Sequence, residues 1–252
     1  MNSILLEILK ESKINLTDMT LRTTFGTSFN EKTFDISPKD FLKFAKEDLK
    51  EGNEKGFINS ITNSKRAIDC QIDQTFETLI SKYENFNPII HDFLQNFEFE
   101  SDIPFKLRMI HAFNLAPSLI ISKSRTLRNK LEHMYQKPEI HDVKEALDVA
   151  DLFLRSTSGK LGMLWSEFEI VDWKNNELSF EYSDKKFKIA HKKENKLIKT
   201  YSINPDNLEF YGLLRLMISC EDEIEIKETF KIILKQINHP MPIDKIRICQ
   251  GD

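Results

Sequence analysis

The sequence predicts an α+β protein in which a central all-helical bundle, residues 38–157, precedes a C-terminal β-meander plus helices within residues 160–252. Three observations predict it. Apolar residues recur at three- and four-residue spacing from Phe41 to Leu154, the period of a helix with one buried face. From Phe168 to Ile189 the period drops to two, as in half-buried strands. Between the two patterns, Thr157-Ser158-Gly159-Lys160 reads as a boundary, and residues 1–37 stand ahead of the bundle as an N-terminal extension.

Taken in order, a short helix is expected at about Ser3–Ser12, followed by a polar stretch with room for a strand or two. Ser37-Pro38 with Asp40 is a helix start: a serine cap, a proline whose missing N–H is not needed there, and an acid in the first turn. A long helix follows from about Glu54 to Ser81. Further helices are expected at about Pro88–Phe97, Ile103–Leu115, Pro117–Tyr135 and Glu139–Ser156. Beyond the boundary, Phe168 and Ile170, then Leu178, Phe180 and Tyr182, then Phe187 and Ile189, alternate with polar residues. Asn175-Asn176, Ser183-Asp184 and Lys192–Asn195 supply the turns, and Leu197–Ile203 a fourth strand. Two helices near Pro205–Ser219 and Ile226–Ile237 and a proline-containing tail complete the reading.

Composition narrows the function classes. The chain of 252 residues is 40% hydrophobic and 30% charged, the balance of an ordinary globular protein. Cys70, Cys220 and Cys249 are too few and too scattered for a disulfide framework or a zinc knuckle, which points to a reducing, cytoplasmic setting. The first residues lack a basic lead and their apolar run is broken by Glu7, Lys10 and Glu11, so neither signal peptide nor membrane anchor is expected. No P-loop, GxGxxG or Ser-His-Asp order is visible, and His91, His141, His191 and His239 have no partner at metal-ligand spacing. Neither a metal nor a cofactor is expected.

The net charge of −4 argues weakly against nucleic acid, but charge acts locally. From Lys106 to Lys137 there are seven basic residues, Lys106, Arg108, Lys123, Arg125, Arg128, Lys130 and Lys137, against one acid, Glu132. Inside this window lies the octapeptide Arg128-Asn129-Lys130-Leu131-Glu132-His133-Met134-Tyr135. On a helix advancing 100° per residue, Arg128, Tyr135, Glu132, Asn129 and His133 fall within one arc of about 160°, with Leu127, Leu131 and Met134 opposite. Asn129 and His133, four apart, are placed to touch.

Those groups suit metal-free cleavage of RNA. An imidazole titrating near neutrality takes or gives the proton at the ribose 2′-OH or the leaving 5′ oxygen. A guanidinium holds the phosphate through two parallel hydrogen bonds without losing its charge. One histidine does not readily serve as both base and acid in one turnover, so two copies across a dimer would complete the site. The products would be a 2′,3′-cyclic phosphate and a 5′-OH. Arg128, Asn129 and His133 are therefore the candidate catalytic residues, with Tyr135, Lys130, Arg125 and, on the polar side of the long helix, Arg66 as candidate substrate-binding groups. The competing structural reading pairs Arg128 with Glu132, lets His133 cap the helix end and packs Tyr135 against Pro138. His111, with Met109 and Phe113 beside it, reads as a packed histidine. Trp165, Trp173, Phe180 and Tyr182 read as the aromatic core of a small sheet in preference to a base-stacking surface.

Arg128-X4-His133 with Asn129 after the arginine resembles the HEPN superfamily of nucleotide-binding domains. The fuller pattern Arg128-X4-His133-X-Tyr135 is similar to the HEPN toxins paired with minimal nucleotidyltransferase antitoxins. The segment DLKEGNEKGFINSITNSKRAIDCQID also looks like the first two helices of HEPN-type proteins. The resemblance spans about residues 38–157. It implies a HEPN-like bundle, a homodimer through the helical domain whose two Arg-His pairs meet in a cleft, and endoribonuclease activity on RNA in a toxin–antitoxin or antiviral setting. It also implies a possible nucleotidyltransferase antitoxin as partner, able to adenylylate the tyrosine that Tyr135 matches. A non-catalytic nucleotide- or RNA-binding or dimerisation module is the alternative. The chain departs from the toxin group in its length and in the added β-containing C-terminal region.

Overall fold

A computed structural model describes residues 3–25, 34–81, 86–99, 103–117, 137–162 and 166–251, together with Leu119, Ile120, Ser122, Lys123, Thr126 and Leu164. The chain divides into two compact units. One comprises Met1–Ser28, Phe86–Glu98 and Met163–Asp252, and the other Phe29–Asn85 and Phe99–Gly162.

The first unit is built on a six-stranded mixed sheet. Its strands are β1 (Met19–Phe25), β2 (Glu167–Asp172), β3 (Asn176–Ser183), β4 (Lys186–Lys193), β5 (Lys196–Ile203) and β6 (Ile248–Gln250), in the order β5-β4-β3-β2-β1-β6. β1 runs antiparallel to β2, with Leu21 opposite Ile170, and parallel to β6, with Met19 opposite Ile248. The two-residue alternation sends Phe168, Ile170, Leu178, Phe180, Tyr182, Phe187 and Ile189 to a buried face. There the Phe168 and Phe180 rings stack at 4.7 Å. Helices α1 (Ile4–Ser12), α4 (Ile90–Leu94), α7 (Leu208–Ile218) and α8 (Glu223–Gln236) belong to this unit, and α1 touches β3, β4 and β5.

Turn chemistry explains the register. Asp184-Lys185 and Glu194-Asn195 both take positive φ, the conformation of two-residue hairpin loops whose twist matches the strands. Between β2 and β3 the carboxylate of Asp172 accepts from the backbone N–H groups of Lys174 at 2.9 Å and Asn176 at 3.0 Å, and from the Asn176 amide at 2.9 Å. It also accepts from the N–H of Asn15 at 2.8 Å, fastening the segment before β1 to the β2–β3 turn.

The second unit holds α2 (Pro38–Lys50), α3 (Glu54–Leu79), α5 (Phe105–Ala112) and α6 (Ile140–Gly162). α2 begins as its sequence dictates: Ser37 Oγ accepts from the Asp40 N–H, and the Asp40 carboxylate accepts from the Ser37 N–H in return. The corner into α3 passes close to Gly56, where an added Cβ would lie 2.5 Å from the Asp48 carbonyl oxygen. Ile61, Val143 and Ala146 form a buried cluster against which Leu49 and Phe57 pack. Ser60 donates to the Ala45 carbonyl at 2.7 Å, which satisfies a hydroxyl held in the interior.

The expected architecture of a central helical bundle followed by a separate C-terminal meander does not hold. The four strands β2–β5 are part of a larger mixed sheet that recruits β1 from the N-terminal segment and β6 from the proline-containing tail. The helical region is also interrupted, because Phe86–Glu98, with α4, folds into the sheet unit. Helix α6 continues through Thr157-Ser158-Gly159-Lys160 to Gly162. The physical reason is shared by all three. Periodicity reports local burial, whereas strand pairing and helix docking are long-range and can overrule a polar stretch.

Candidate functional site

Arg125, Arg128, Asn129, Lys130, His133 and Tyr135 lie outside the described residues, as does Trp165. Their flanks are described. Leu119, Ile120, Ser122, Lys123 and Thr126 have helical backbone, and Thr126 Oγ1 donates to the Ser122 carbonyl at 3.1 Å, one turn back. These five residues fall within the helix expected over about Pro117–Tyr135.

Lysines before and after the octapeptide form ion pairs at the surface. Lys123, ahead of the octapeptide, pairs with Glu145 of α6. Lys137, just after it, pairs with Glu54 at the start of α3 at 3.0 Å. A third lysine of the cationic window, Lys106 at the start of α5, bonds Asp73 of α3 at 2.5 Å. Helix α3 therefore acts as a ruler. Glu54 and Asp73 are 19 residues apart on it, or about 28 Å at 1.5 Å per residue. Arg66 lies between these anchor points, one full seven-residue repeat before Asp73 and on the same side of the helix.

Arg66 is exposed, and its one hydrogen bond among the described residues is a 3.5 Å contact from Nη1 to the Asn63 amide oxygen. Among the described residues it has no acidic partner. Arg108 on α5 is the other cation in this position. Its guanidinium carbon sits 5.9 Å from the Phe99 ring centre and 5.8 Å from that of Phe105, and its Nε–H is buried without a hydrogen-bond partner. A ring at that distance attracts a guanidinium through its quadrupole. Arg108 was part of the cationic window in the sequence, but nothing local distinguished it from Lys106, because acids on another helix decide which cation is neutralised.

His111, one turn after Arg108, packs its ring edge against Phe99 at 5.7 Å, in keeping with a packed histidine. Cys70 places a thiol on α3. Burial, followed by the carboxylates of Asp73, Asp40 and Asp69, pushes its pKa up to about 11. Phe180 and Tyr182 are core residues of the sheet, whereas Trp173 is exposed and carries the Lys174 ammonium 4.9 Å from its ring. No three His, Cys, Asp or Glu side chains converge as a metal site among the described residues. No described helix is long and apolar enough to cross a membrane.

No protein-family model, curated protein or solved structure matches the chain. The functional reading therefore rests on the residues themselves.

Proposed function

We propose that the chain is a metal-independent endoribonuclease of the HEPN type that acts as a homodimer through its helical region. The octapeptide Arg128–Tyr135 carries the reading. Arg128 holds and neutralises the scissile phosphate, His133 transfers the proton, Asn129 orients the imidazole and Tyr135 lines the site. One further feature supports phosphate as ligand: among the described residues Arg66 and Arg108 have no acidic partner, whereas Lys106, Lys123 and Lys137 do. Cytoplasmic action in phage defence or a toxin system fits this chemistry, with a nucleotidyltransferase antitoxin as a possible partner.

The test uses the purified full chain with single-stranded RNA in EDTA. Cleavage should leave a 2′,3′-cyclic phosphate and a 5′-OH, and His133→Ala should abolish it with an unchanged circular-dichroism spectrum. Equal cleavage by that variant would sink the assignment.

A second reading, a non-catalytic RNA- or nucleotide-binding or dimerisation module, draws on the neutralised lysines, which leave the region less cationic than its sequence window. Binding without scission, kept in His133→Ala and lost in Arg128→Ala, would select it.

A further inference from the structure

One end of the sheet carries exposed apolar side chains among lysines. The β2–β3 turn, residues 173–175, and the β4–β5 turn, residues 194–195, lie side by side there, joined by the Glu194 N–H donating to the Asn175 carbonyl at 3.3 Å. Trp173 in the first turn is 65% exposed, and Leu197 and Ile198, just after the second, are 63% and 56% exposed. The β4–β5 register slips at this point. Lys199 lies opposite His191 and Leu197 opposite Lys192, so Ile198 is the extra residue of a bulge, a device that re-aims a side chain. β5 is an edge strand, and both aliphatics stay in water.

A second and independent observation is the charge around them. From Lys185 to Lys199 the β4–β5 hairpin has seven lysines and one acid, Glu194. Three of the lysines are paired within the unit: Lys188 with Glu181, Lys192 with Glu177, and Lys199 with Glu7 and Glu11. Lys193 and Lys196, opposite each other at the turn, and Lys174 beside Trp173 are exposed and have no acidic partner among the described residues. The Lys174 ammonium lies 4.9 Å from the Trp173 ring centre. Asp172, just before Trp173, is buried and accepts four hydrogen bonds.

Indole, aliphatic and ammonium groups in one place select the kind of partner. Exposed leucine and isoleucine gain by leaving water for acyl carbon, which a polynucleotide does not offer. Tryptophan settles at the level of lipid headgroups, its ring in apolar surroundings and its N–H wet. Lysines reach anionic headgroups while their methylene stems lie along the apolar boundary.

We propose that this end of the sheet docks on an anionic phospholipid surface, with Trp173, Leu197 and Ile198 entering the headgroup boundary and Lys174, Lys193 and Lys196 meeting the lipid charge. The contact is peripheral and stands or falls without the ribonuclease reading. The experiment is sedimentation of the full chain with vesicles of about 30% phosphatidylglycerol in phosphatidylcholine at about 0.1 M salt. The chain should partition at least about tenfold more strongly onto these than onto phosphatidylcholine alone. Leu197→Ser with Ile198→Ser, which leaves every charge in place, should weaken partitioning at least about tenfold, and so should Lys193→Gln with Lys196→Gln. Bromine-labelled lipid should quench tryptophan emission in the unsubstituted chain but not in Trp173→Phe, a readout independent of how the strand variants fold. Absence of sedimentation, unchanged partitioning in the serine variant, or quenching that survives Trp173→Phe would overturn the proposal. So would loss of single-stranded RNA binding in the lysine variant with vesicle binding intact, which would make the patch an RNA surface.

Discussion

Arg215 and Glu225 form an ion pair at 2.5 Å between the consecutive helices α7 and α8, with 9% of the arginine side chain exposed. The same guanidinium donates through Nε to Thr229 Oγ1 at 3.0 Å and lies 5.0 Å over the Phe97 ring. One side chain thereby ties both helices to the Phe86–Glu98 segment within the sheet unit. Desolvation opposes the charge on Arg215, so its partners have to hold it. Glu225→Ala should destabilise by about 2–3 kcal/mol, the half-exposed carboxylate placing it at the low end for a broken buried pair. Urea unfolding of the variant measures it, and a loss no larger than for exposed Glu228→Ala would contradict the role.

Gly212 fixes the closeness of the same two helices. A Cβ there would sit 2.6 Å from Ile233 Cγ1, nearer than side-chain atoms tolerate. Gly212→Ala should therefore cost about 1–3 kcal/mol through overpacking, despite the better helix propensity of alanine. Combining it with Ile233→Val should restore part of the loss in thermal denaturation.

Acid should weaken the sheet unit in two steps with different owners. His191 is buried beneath α1, and burial holds its pKa below the ordinary 6.5, with Glu11 opposing and Lys193 assisting that shift. The unfolded chain then takes up protons that the native state refuses, so stability is full above about pH 6.5 and falls as the pH drops below it. His239, also lowered mainly by burial, acts in the same direction. Replacing both by glutamine should flatten the decline in melting temperature between about pH 7.5 and 5.5.

The second step belongs to Asp172. Burial raises its pKa, but the four hydrogen bonds it accepts outweigh burial and leave it below its ordinary 3.8. Its contribution is present above 3.8 and is lost as the pH falls through the lowered native value. Asp172→Ala should cost about 2–3 kcal/mol at neutral pH by leaving buried N–H donors unsatisfied. It should also remove acid sensitivity below about pH 4, read by fluorescence-monitored unfolding.

Arg108 offers a test of phosphate binding apart from catalysis. In a His133→Ala background, Arg108→Gln should weaken binding of a labelled RNA oligonucleotide about tenfold and lower its salt dependence by about one unit of slope. Lys106→Gln, which removes a cation already neutralised by Asp73, should change affinity far less. Equal effects of the two substitutions would show that only bulk charge matters.

Much of the local structure was legible. Ser37, Pro38 and Asp40 mark the start of α2 because capping uses only neighbouring backbone, and the strands β2–β5 follow from alternation and turn residues. The polar stretch after α1 left room for β1, but its pairing was hidden because its partner β2 lies about 150 residues away, and β6 was missed because a three-residue strand carries no period. The apparent boundary at Thr157 failed for a comparable reason. Thr157 bonds back to the Phe153 carbonyl and Lys160 reaches the Asn114 carbonyl, so residues that read as a break are satisfied inside a helix.

For the candidate site the division is sharper. The sequence alone determined the chemistry on offer: guanidinium, imidazole, amide and phenol within two turns, amid seven basic residues. Residue types and helical spacing are local properties, and they survive without knowledge of the fold. Only the tertiary structure decided which cations are paired, because Asp73, Glu145 and Glu54 come from other parts of the chain and pair with three lysines, while Arg66 and Arg108 have no acid among the described residues. It likewise decided the sheet and the meeting of its two lysine-bearing turns, since both are assembled from segments that meet only when distant backbone pairs and apolar faces are buried together.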